Sequence, residues 1–512
     1  MLQKFSTVFA ENHGAEVFGS TNQTCHVLKH SFACVAIVCG ATMSLFGQTV
    51  PRPGQEVFNL NTCVDKALAY NYSVRQAANN VQGSSSDALA AFGTMLPQVT
   101  VSAGNAWNTG LTIDPVTNEV RFNNLATANG GMGFGMTLFD GFSSLNTWRQ
   151  AKVNVLTAEA TLAGARNTVA LNTASQYLAI LMAIEAEKVA EEQLKLTEGM
   201  RRRAVQLVEA GASPANELLQ MEAQQARDEQ RLLTAQNQRL LAYLALAQTM
   251  GEPQGSFVIA NMDAQSFKEK PLVITLRPEA IFGAALDNQP NIEAASLRLK
   301  SAEMGVKIAR ARRLPRLTLN GQLGTSYSDL AQKVTGSASV IVPVGYWDNG
   351  GAQVPVFREY SAPIFSPVSF MDQIYENQRR YVGLNLSIPI FNGFQVQNGI
   401  RRNQINALNA DLQFQQERDN FQQTVERAHA DATAAWLQLE AAKKSEAAAI
   451  KAMDDANVRR TEGLMTIYDY SSVQNTYLAA VSDVLRAKFD AQFKAYILTF
   501  YLQSPLKNNT DE

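Results

Sequence analysis

Few residues in this chain have the types and spacing that chemistry needs. His429 has Glu426 one helical turn before it. A single histidine and acid, with no cysteine or second histidine beside them, make a poor metal site, and His429 is read as structural. No nucleophile stands beside a base, no glycine-rich loop could cradle a phosphate, and no acids are paired for general acid–base work. An enzyme is therefore not expected, and neither is a cofactor or bound metal. A net charge of −2 with 18% charged residues argues against a nucleic-acid partner, which would call for a clearly basic chain.

Two acids that follow two glycines remain. Glu217 lies six residues beyond Gly211 and Asp469 six beyond Gly463, with Ser472 three further on. A first-turn acid that complements a helix dipole gives these residues a plain structural role. The arginines read two ways. Arg201, Arg202 and Arg203 occupy successive helical positions and cannot share one face, so they are solvated, paired with a neighbouring helix, or in contact with a partner. Arg310, Arg312, Arg313 and Arg316 flank a strand; they meet lipid headgroups or end a solvated helix.

The elements that position these residues occur twice. Phe139-Asp140-Gly141 opens a long Ala/Gln-rich segment that ends at Gly211, and Phe391-Asn392-Gly393 opens another that ends at Gly463. Both run 70 positions from the triplet's last residue, at an offset of 252. As one helix, each is about 105 Å long, a length found in coiled coils rather than in globular domains. Seams at alternating three and four support this: Ala170, Ala174, Tyr177, Leu181 and Ile184 in the first, and Phe421, Val425, Ala428, Ala432, Ala435, Leu439 and Ala442 in the second. Gly211 and Gly463 are helix stops, with Ser213 as an N-cap and Pro214 as a first-turn residue of the return helix.

Residues 1–47 read as a signal peptide with an extended leader: Lys29 and His30 precede an apolar run of about fifteen residues, too short to span a bilayer. Three cysteines fall there, leaving Cys63 alone beyond it. No later apolar run approaches the ~20 residues of a spanning helix. An exported chain of this kind either stays soluble or enters a membrane as a β-barrel. Residues 48–59 read as an extended linker. A helix follows from about 60 to 94, capped by Asn61 or Thr62 and stopped before Leu96-Pro97.

The period then changes to two. Val99, Val101, Ala103 and Trp107 alternate with small polar residues, and a polar Gly/Asn-rich stretch runs from Asn108 to Gly130. Met132, Phe134, Met136 and Leu138 alternate with three glycines and a threonine. In the second half Leu317, Leu319 and Leu323 alternate with polar residues, as do Val382, Leu384, Leu386, Ile388 and Ile390. Such strands fit a barrel whose apolar face meets lipid and whose other face meets a lumen. The second hairpin carries about 34 extra residues, expected as an outward-facing loop. Residues 251–277 read as a belt between the halves, and 503–512 as a polar tail.

The domain plan is thus a first repeat over 60–275, with a hairpin at about 97–139, and a second over 276–502, with a hairpin at about 315–391. Each long helix matches two shorter ones stacked end to end. Four strands cannot close a barrel, and an open edge in lipid is forbidden, so the chain must oligomerise.

The ordered set of Leu96-Pro97, Leu138-Phe139-Asp140-Gly141, Leu314-Pro315, Pro389-Ile390-Phe391-Asn392-Gly393 and the two glycine tips resembles the TolC-like outer-membrane efflux protein family over nearly all of the chain past the signal peptide. The resemblance implies an α+β membrane protein: a long antiparallel α-helical coiled-coil barrel plus four strands given to a homotrimer's twelve-stranded transmembrane β-barrel in the outer membrane. It implies an exit duct for small toxic compounds, docked through Gly211, Ala212, Ser213, Gly463 and Leu464 to a periplasmic adaptor and an inner-membrane transporter. The duct of a type I protein-secretion system is the alternative within the family; a soluble periplasmic coiled-coil scaffold is the alternative outside it. In the family, acids after the second tip often narrow the tunnel mouth. Asp469 matches the first such position, Ser472 departs from the second, and Glu217 is the first repeat's counterpart.

Overall fold

The computed structural model describes residues 56–113, 118, 120–253, 255–260, 271–286 and 288–502. The signal peptide, its expected cleavage near Gly47, most of the linker and the polar tail lie outside the described residues. Strand β1 (Glu56–Phe58) is followed by α1 (Leu60–Tyr70) and α2 (Tyr72–Gly93), β2 (Gln98–Ile113), β3 (Val120–Phe139), α3 (Ser143–Glu209), α4 (Ala215–Met250) and β4 (Phe257–Ile259). A 3-10 turn at Leu272–Thr275 leads to α5 (Pro278–Leu286), α6 (Pro290–Ala311) and β5 (Arg316–Ser328). Strands β6 (Gln332–Asn349) and β7 (Ala352–Pro367), α7 (Phe370–Glu376), β8 (Arg379–Ser387), α8 (Gln395–Thr461) and α9 (Ile467–Leu502) complete the chain.

The long helices α3 and α8 have 67 residues each, and α4 and α9 have 36 each. At 1.5 Å per residue α3 and α8 are about 100 Å long. Their seams are where the sequence places them. Ala170, Ala174, Tyr177 and Leu181 are buried on α3, and Phe421, Val425, Ala432, Ala435 and Leu439 on α8. Helix α3 is long and apolar enough to cross a membrane by length and composition, against the expectation that no such segment follows the leader. Its buried face packs instead on α1, α4, β1 and β4, through Val169, Tyr177, Ile180 and Leu181 against Phe58, Cys63, Leu246 and Phe257. That is the contact pattern of a core helix; each such side chain, fully buried, contributes about 1.5–3 kcal/mol.

Several boundaries differ from the sequence reading. The first helix is capped by Asn59, not Asn61 or Thr62; its side chain accepts from Thr62 N at 2.8 Å. The helix breaks at Asn71, whose side chain accepts from Ser73 N at 2.9 Å and so starts α2. The region before the third strand likewise splits in two, because Pro290 cannot continue α5 and instead opens α6. Pro214 is the N-cap of α4 rather than its first helical residue. Part of the linker is a strand, since β1 pairs in parallel with β4 of the belt. Contacts link α1 with α4 and α5 with α9. The end-to-end partners are therefore first helix with return helix and third-segment helix with last helix. Lys66 of α1 seals the first junction with an ion pair to Glu252, just past α4, at 2.7 Å.

The sheet order is β2-β3-β5-β8, all antiparallel. Much of the polar Asn108–Gly130 stretch is strand, because β2 and β3 stay paired out to Ile113 and Val120. The expected loop of the second hairpin is not a loop. It is a separate two-stranded ribbon, β6–β7, followed by α7. Strand β8 ends at Ser387, so Ile388 and Ile390 lie beyond it. Pro389 has no N–H to give the ladder.

Candidate functional site

The register turns four alternating strands into one largely apolar face, broken on β8 by Arg380 opposite Leu323. Val101 stands opposite Met132, and Met132 opposite Leu323. Val99 stands opposite Phe134, Phe134 opposite Gly321, and Gly321 opposite Val382. Met136, Leu319 and Leu384 form the next row. A bulge between Thr137 and Phe139 makes Leu138 the extra residue and sets Phe139 opposite Leu317, which faces Leu386. Met132, Leu138, Val382, Leu384, Leu386 and, beyond the strand, Ile388 are exposed. Phe134 and Met136 are only half-buried. The Phe134 ring lies across Gly321, where a Cβ would meet it at 2.0 Å, so an aromatic covers the gap that glycine leaves. The opposite face carries Thr100, Ser102, Thr318, Asn320, Gln322, Asn385 and Gly131, Gly133 and Gly135 of β3.

Aromatic residues bracket this face. At the helical end, Phe142 and Phe394 take positive φ, 67° and 63°. A bulky side chain there is uncommon and strained. The turn aims each ring back at the strand end, edge-on to Phe139 at 5.4 Å and to Phe391 at 5.6 Å. At the other end Tyr327 packs on Phe370, centroids 5.0 Å apart, and Trp107 is exposed on β2. From Leu317 to Tyr327 is roughly 33 Å along the strand at 3.3 Å per residue. A tilt of about 40° reduces that to about 25 Å, the height of the apolar band of a membrane barrel. Arg310, Arg312, Arg313 and Arg316 are exposed at the helical end of the band, where Arg313 donates to Gln397.

The tips lie at the far ends of the long helices. Gly211 and Gly463 have φ of +70° and +76°, and each follows the same closing pattern: Ala212 N donates to Leu207 O and Leu464 N to Arg459 O, both at 2.8 Å. Gly211, Ala212, Gly463 and Leu464 are exposed, and Ser213 is half-buried. One cluster draws the two helix pairs together: Met200 and Ala204 of α3, Met221 of α4, Ala456 of α8 and Tyr470 of α9. The Arg460 guanidinium sits 4.1 Å over the Tyr470 ring, and Gln193 donates to Asn475 at 2.6 Å, tying α3 to α9.

Each candidate acid is engaged in its own helix start. Asp469 accepts from Thr466 Oγ1 at 2.8 Å, while Thr466 Oγ1 accepts from Asp469 N at 3.1 Å, so Thr466 caps the helix and Asp469 holds the capping hydroxyl. Glu217 accepts from Ser213 Oγ. Ser472 is exposed one turn beyond Asp469. His429 and Glu426 are not joined: Glu426 accepts from Gln422, and His429 Nε2 is buried without a hydrogen-bond partner. Arg202 and Arg203 are exposed; Arg201 is half-buried with Nε unpartnered.

The sequence reading missed Asp228. It is fully buried on α4, accepting from Thr197 Oγ1 at 2.8 Å and Gln224 Nε2 at 3.1 Å, with Arg231 Nη1 at 3.3 Å. Nothing in the local pattern of α4 distinguishes it from a solvated acid. The Thr466-x-x-Asp469 spacing is the local signal for the cap at the start of α9.

Comparison with known proteins gives a consistent result. The family model for outer membrane efflux proteins matches residues 63–252 and 281–495. The pyoverdine export outer membrane protein OpmQ of Pseudomonas aeruginosa is 26% identical over 178 residues, 35% of this chain and 36% of that relative's length. Protein CyaE of Bordetella pertussis is 25% identical over 391 residues, covering 74% of this chain and 70% of that protein. The CmeC outer membrane channel of Campylobacter jejuni shares the fold, with a TM-score of 0.67 at 18% identity over 86% of this chain and 85% of that one.

Proposed function

The chain belongs to the outer membrane efflux protein family, whose members are channels rather than enzymes, and from that premise we propose that three copies form one exit duct. In this reading each copy gives β2, β3, β5 and β8 to a twelve-stranded barrel in the outer membrane, and the paired long helices continue it as a periplasmic tunnel. The observation that carries the reading is the sheet: one face mostly apolar over about 25 Å, broken by Arg380 opposite Leu323, the other polar, and the outer edges of β2 and β8 open among the described residues. An open edge in lipid leaves backbone groups unsatisfied at several kcal/mol each, so β8 of one copy pairs with β2 of the next. Eight strands from two copies would fill their interior with side chains; twelve leave a lumen.

Exposed leucines point the same way along the helices. Leu219, Leu233 and Leu240 on α4 and Leu408, Leu412 and Leu437 on α8 have no cover within one copy, and neighbouring copies supply it. The duct conducts passively. Small toxic compounds cross it when the tips at Gly211–Ser213 and Gly463–Leu464 dock a periplasmic adaptor that links it to an energised inner-membrane transporter. The relative named for pyoverdine export is in keeping with small-molecule cargo. Asp469 has the position for a cation-favouring ring at the tunnel mouth, with Ser472 and Glu217 beside it in the plan.

The test is a strain lacking this protein, compared with its parent for sensitivity to dyes, detergents, antibiotics and metal salts and for its secreted proteins. Hypersensitivity with an intact set of secreted proteins is the expected outcome. A missing secreted protein with normal sensitivity would replace this reading with a type I secretion duct. Absence of a heat-dissociable trimer from the outer membrane would leave only a scaffold.

A further inference from the structure

The short helix α7 stands on the same face of the sheet as the apolar band. Thr325 and Tyr327 of β5 share the parity of Leu317, Leu319 and Leu323, and both touch α7. Thr325 Oγ1 donates to Ile374 O at 3.0 Å, and the Tyr327 ring packs on Phe370. The helix is fixed at both ends. Buried Gln373 accepts from Ser328 N at 2.9 Å and donates to Ser328 O at 2.8 Å and Val368 O at 3.0 Å. Asn377 donates to Ser326 O at 2.8 Å.

With Phe370, Gln373 and Ile374 turned towards the sheet, two flanks remain, each a pair four residues apart. Met371 and Tyr375 form one, 64% and 73% exposed. Asp372 and Glu376 form the other. The acidic flank has its direction set by Lys333, whose Nζ lies 3.7 Å from the Asp372 carboxylate. Lys333 lies at the start of β6, in the separate β6–β7 ribbon. Met371 and Tyr375 lie about 100° round the helix from the acidic pair, on the side away from Lys333.

We propose that α7 is a lipid-seated helix: Met371 and Tyr375 enter the outer leaflet at the boundary between headgroups and acyl chains, while Asp372 and Glu376 stay in water. This rests on the reading that the sheet's apolar face meets lipid. The physical basis is general. Aromatic side chains gain most at that depth, where the ring is apolar and the hydroxyl wet, and an amphipathic helix lies in the interface with its apolar side down. Seating α7 fixes the height of the barrel and holds the root of the β6–β7 ribbon at the membrane surface.

Single cysteines at Met371→Cys, Tyr375→Cys, Asp372→Cys and Glu376→Cys, each carrying an environment-sensitive fluorophore, test this in the full-length protein reconstituted in phosphatidylcholine vesicles. Cys63 is buried and does not take the label. Labels at 371 and 375 are expected to be quenched by shallowly brominated lipid and shielded from aqueous iodide, and those at 372 and 376 the reverse. Equal access of iodide to all four overturns the proposal. So does shielding of 371 and 375 from both quenchers, which would place them against another copy of the chain. A Val382→Cys label is the control for the underlying reading. If it reports lipid while 371 and 375 do not, α7 alone is misassigned. If it too is open to iodide, the lipid-facing sheet and α7 fall together.

Discussion

Val382→Arg puts the face assignment at risk most directly. Val382 is 72% exposed and stands opposite Gly321 in β5. Four residues separate Gly321 from Leu317, roughly 13 Å along the strand. At about 40° of tilt this places Val382 about 10 Å above the inner rim of a band about 25 Å tall. Arginine on the lipid face near the midplane costs about 2–4 kcal/mol, less towards the interfaces. Three copies would carry it, so a trimer loses about 6–12 kcal/mol. Native Arg380, two residues outward on the same face, shows how the loss is limited: its Nη2 donates to Gln378 at 3.1 Å, outward along the strand. The low end is therefore expected. Asn320→Arg is the matched control. Asn320 neighbours Gly321 but points to the polar face, and the cost there should be close to zero. The assay is the temperature at which the trimer separates into monomers on a gel, with urea unfolding in vesicles. Equal loss in the two variants, or a larger loss for Asn320→Arg, would refute the register argument.

Further outcomes follow from other sites. Gly251 has φ of +69°, and a Cβ there would lie 2.3 Å from the Tyr70 ring. Gly251→Ala should cost more than the ~1–2 kcal/mol of a left-handed alanine, whereas Gly211→Ala, with open space at the same φ, should cost only that; urea unfolding separates the two. Burial pushes the Cys63 thiol up to about 11, with Lys66 opposing. Between about pH 9 and 11 the folded state keeps a proton that the unfolded state releases, so stability falls through that window and is untouched below it. Cys63→Ala, compared with wild type in urea at pH 8 and pH 11, should remove that part of the pH dependence. Asp469→Ala keeps the Thr466 cap, whose donor is a backbone N–H, and removes only the hydroxyl–carboxylate bond and a first-turn charge, so tip stability should fall by about 0.3–1 kcal/mol. If single-channel conductance and divalent block are unchanged, the acid supports a helix start and gates nothing. Asp228→Ala leaves the buried Thr197 hydroxyl and the Gln224 amide without their acceptor and should cost about 1–3 kcal/mol by thermal unfolding.

The sequence by itself determined the long helices, their seams, their glycine stops and the alternation of the strands. These are local matters: period, caps and breakers act within a turn or two. Ala170 to Leu181 and Phe421 to Leu439 could be assigned as buried from spacing alone, and Phe139-Asp140-Gly141 as a turn from its glycine. The tertiary structure decided what depends on a neighbour far along the chain. Asn59 displaced the expected cap because its side chain, not the flanking ones, reaches Thr62 N. The polar stretch after Asn108 became strand because each β2 residue found a β3 partner, and a paired backbone outweighs the low strand propensity of Gly and Asn. The extra residues of the second hairpin became a ribbon and a helix whose orientation hangs on Gln373 and Lys333, side chains with no local signature. Asp228 could be buried only because Thr197, on a different helix, supplies a hydrogen bond. Spacing encodes which face of an element is apolar; what that face meets, and which polar group it can afford to bury, is set by side chains that arrive from elsewhere in the chain.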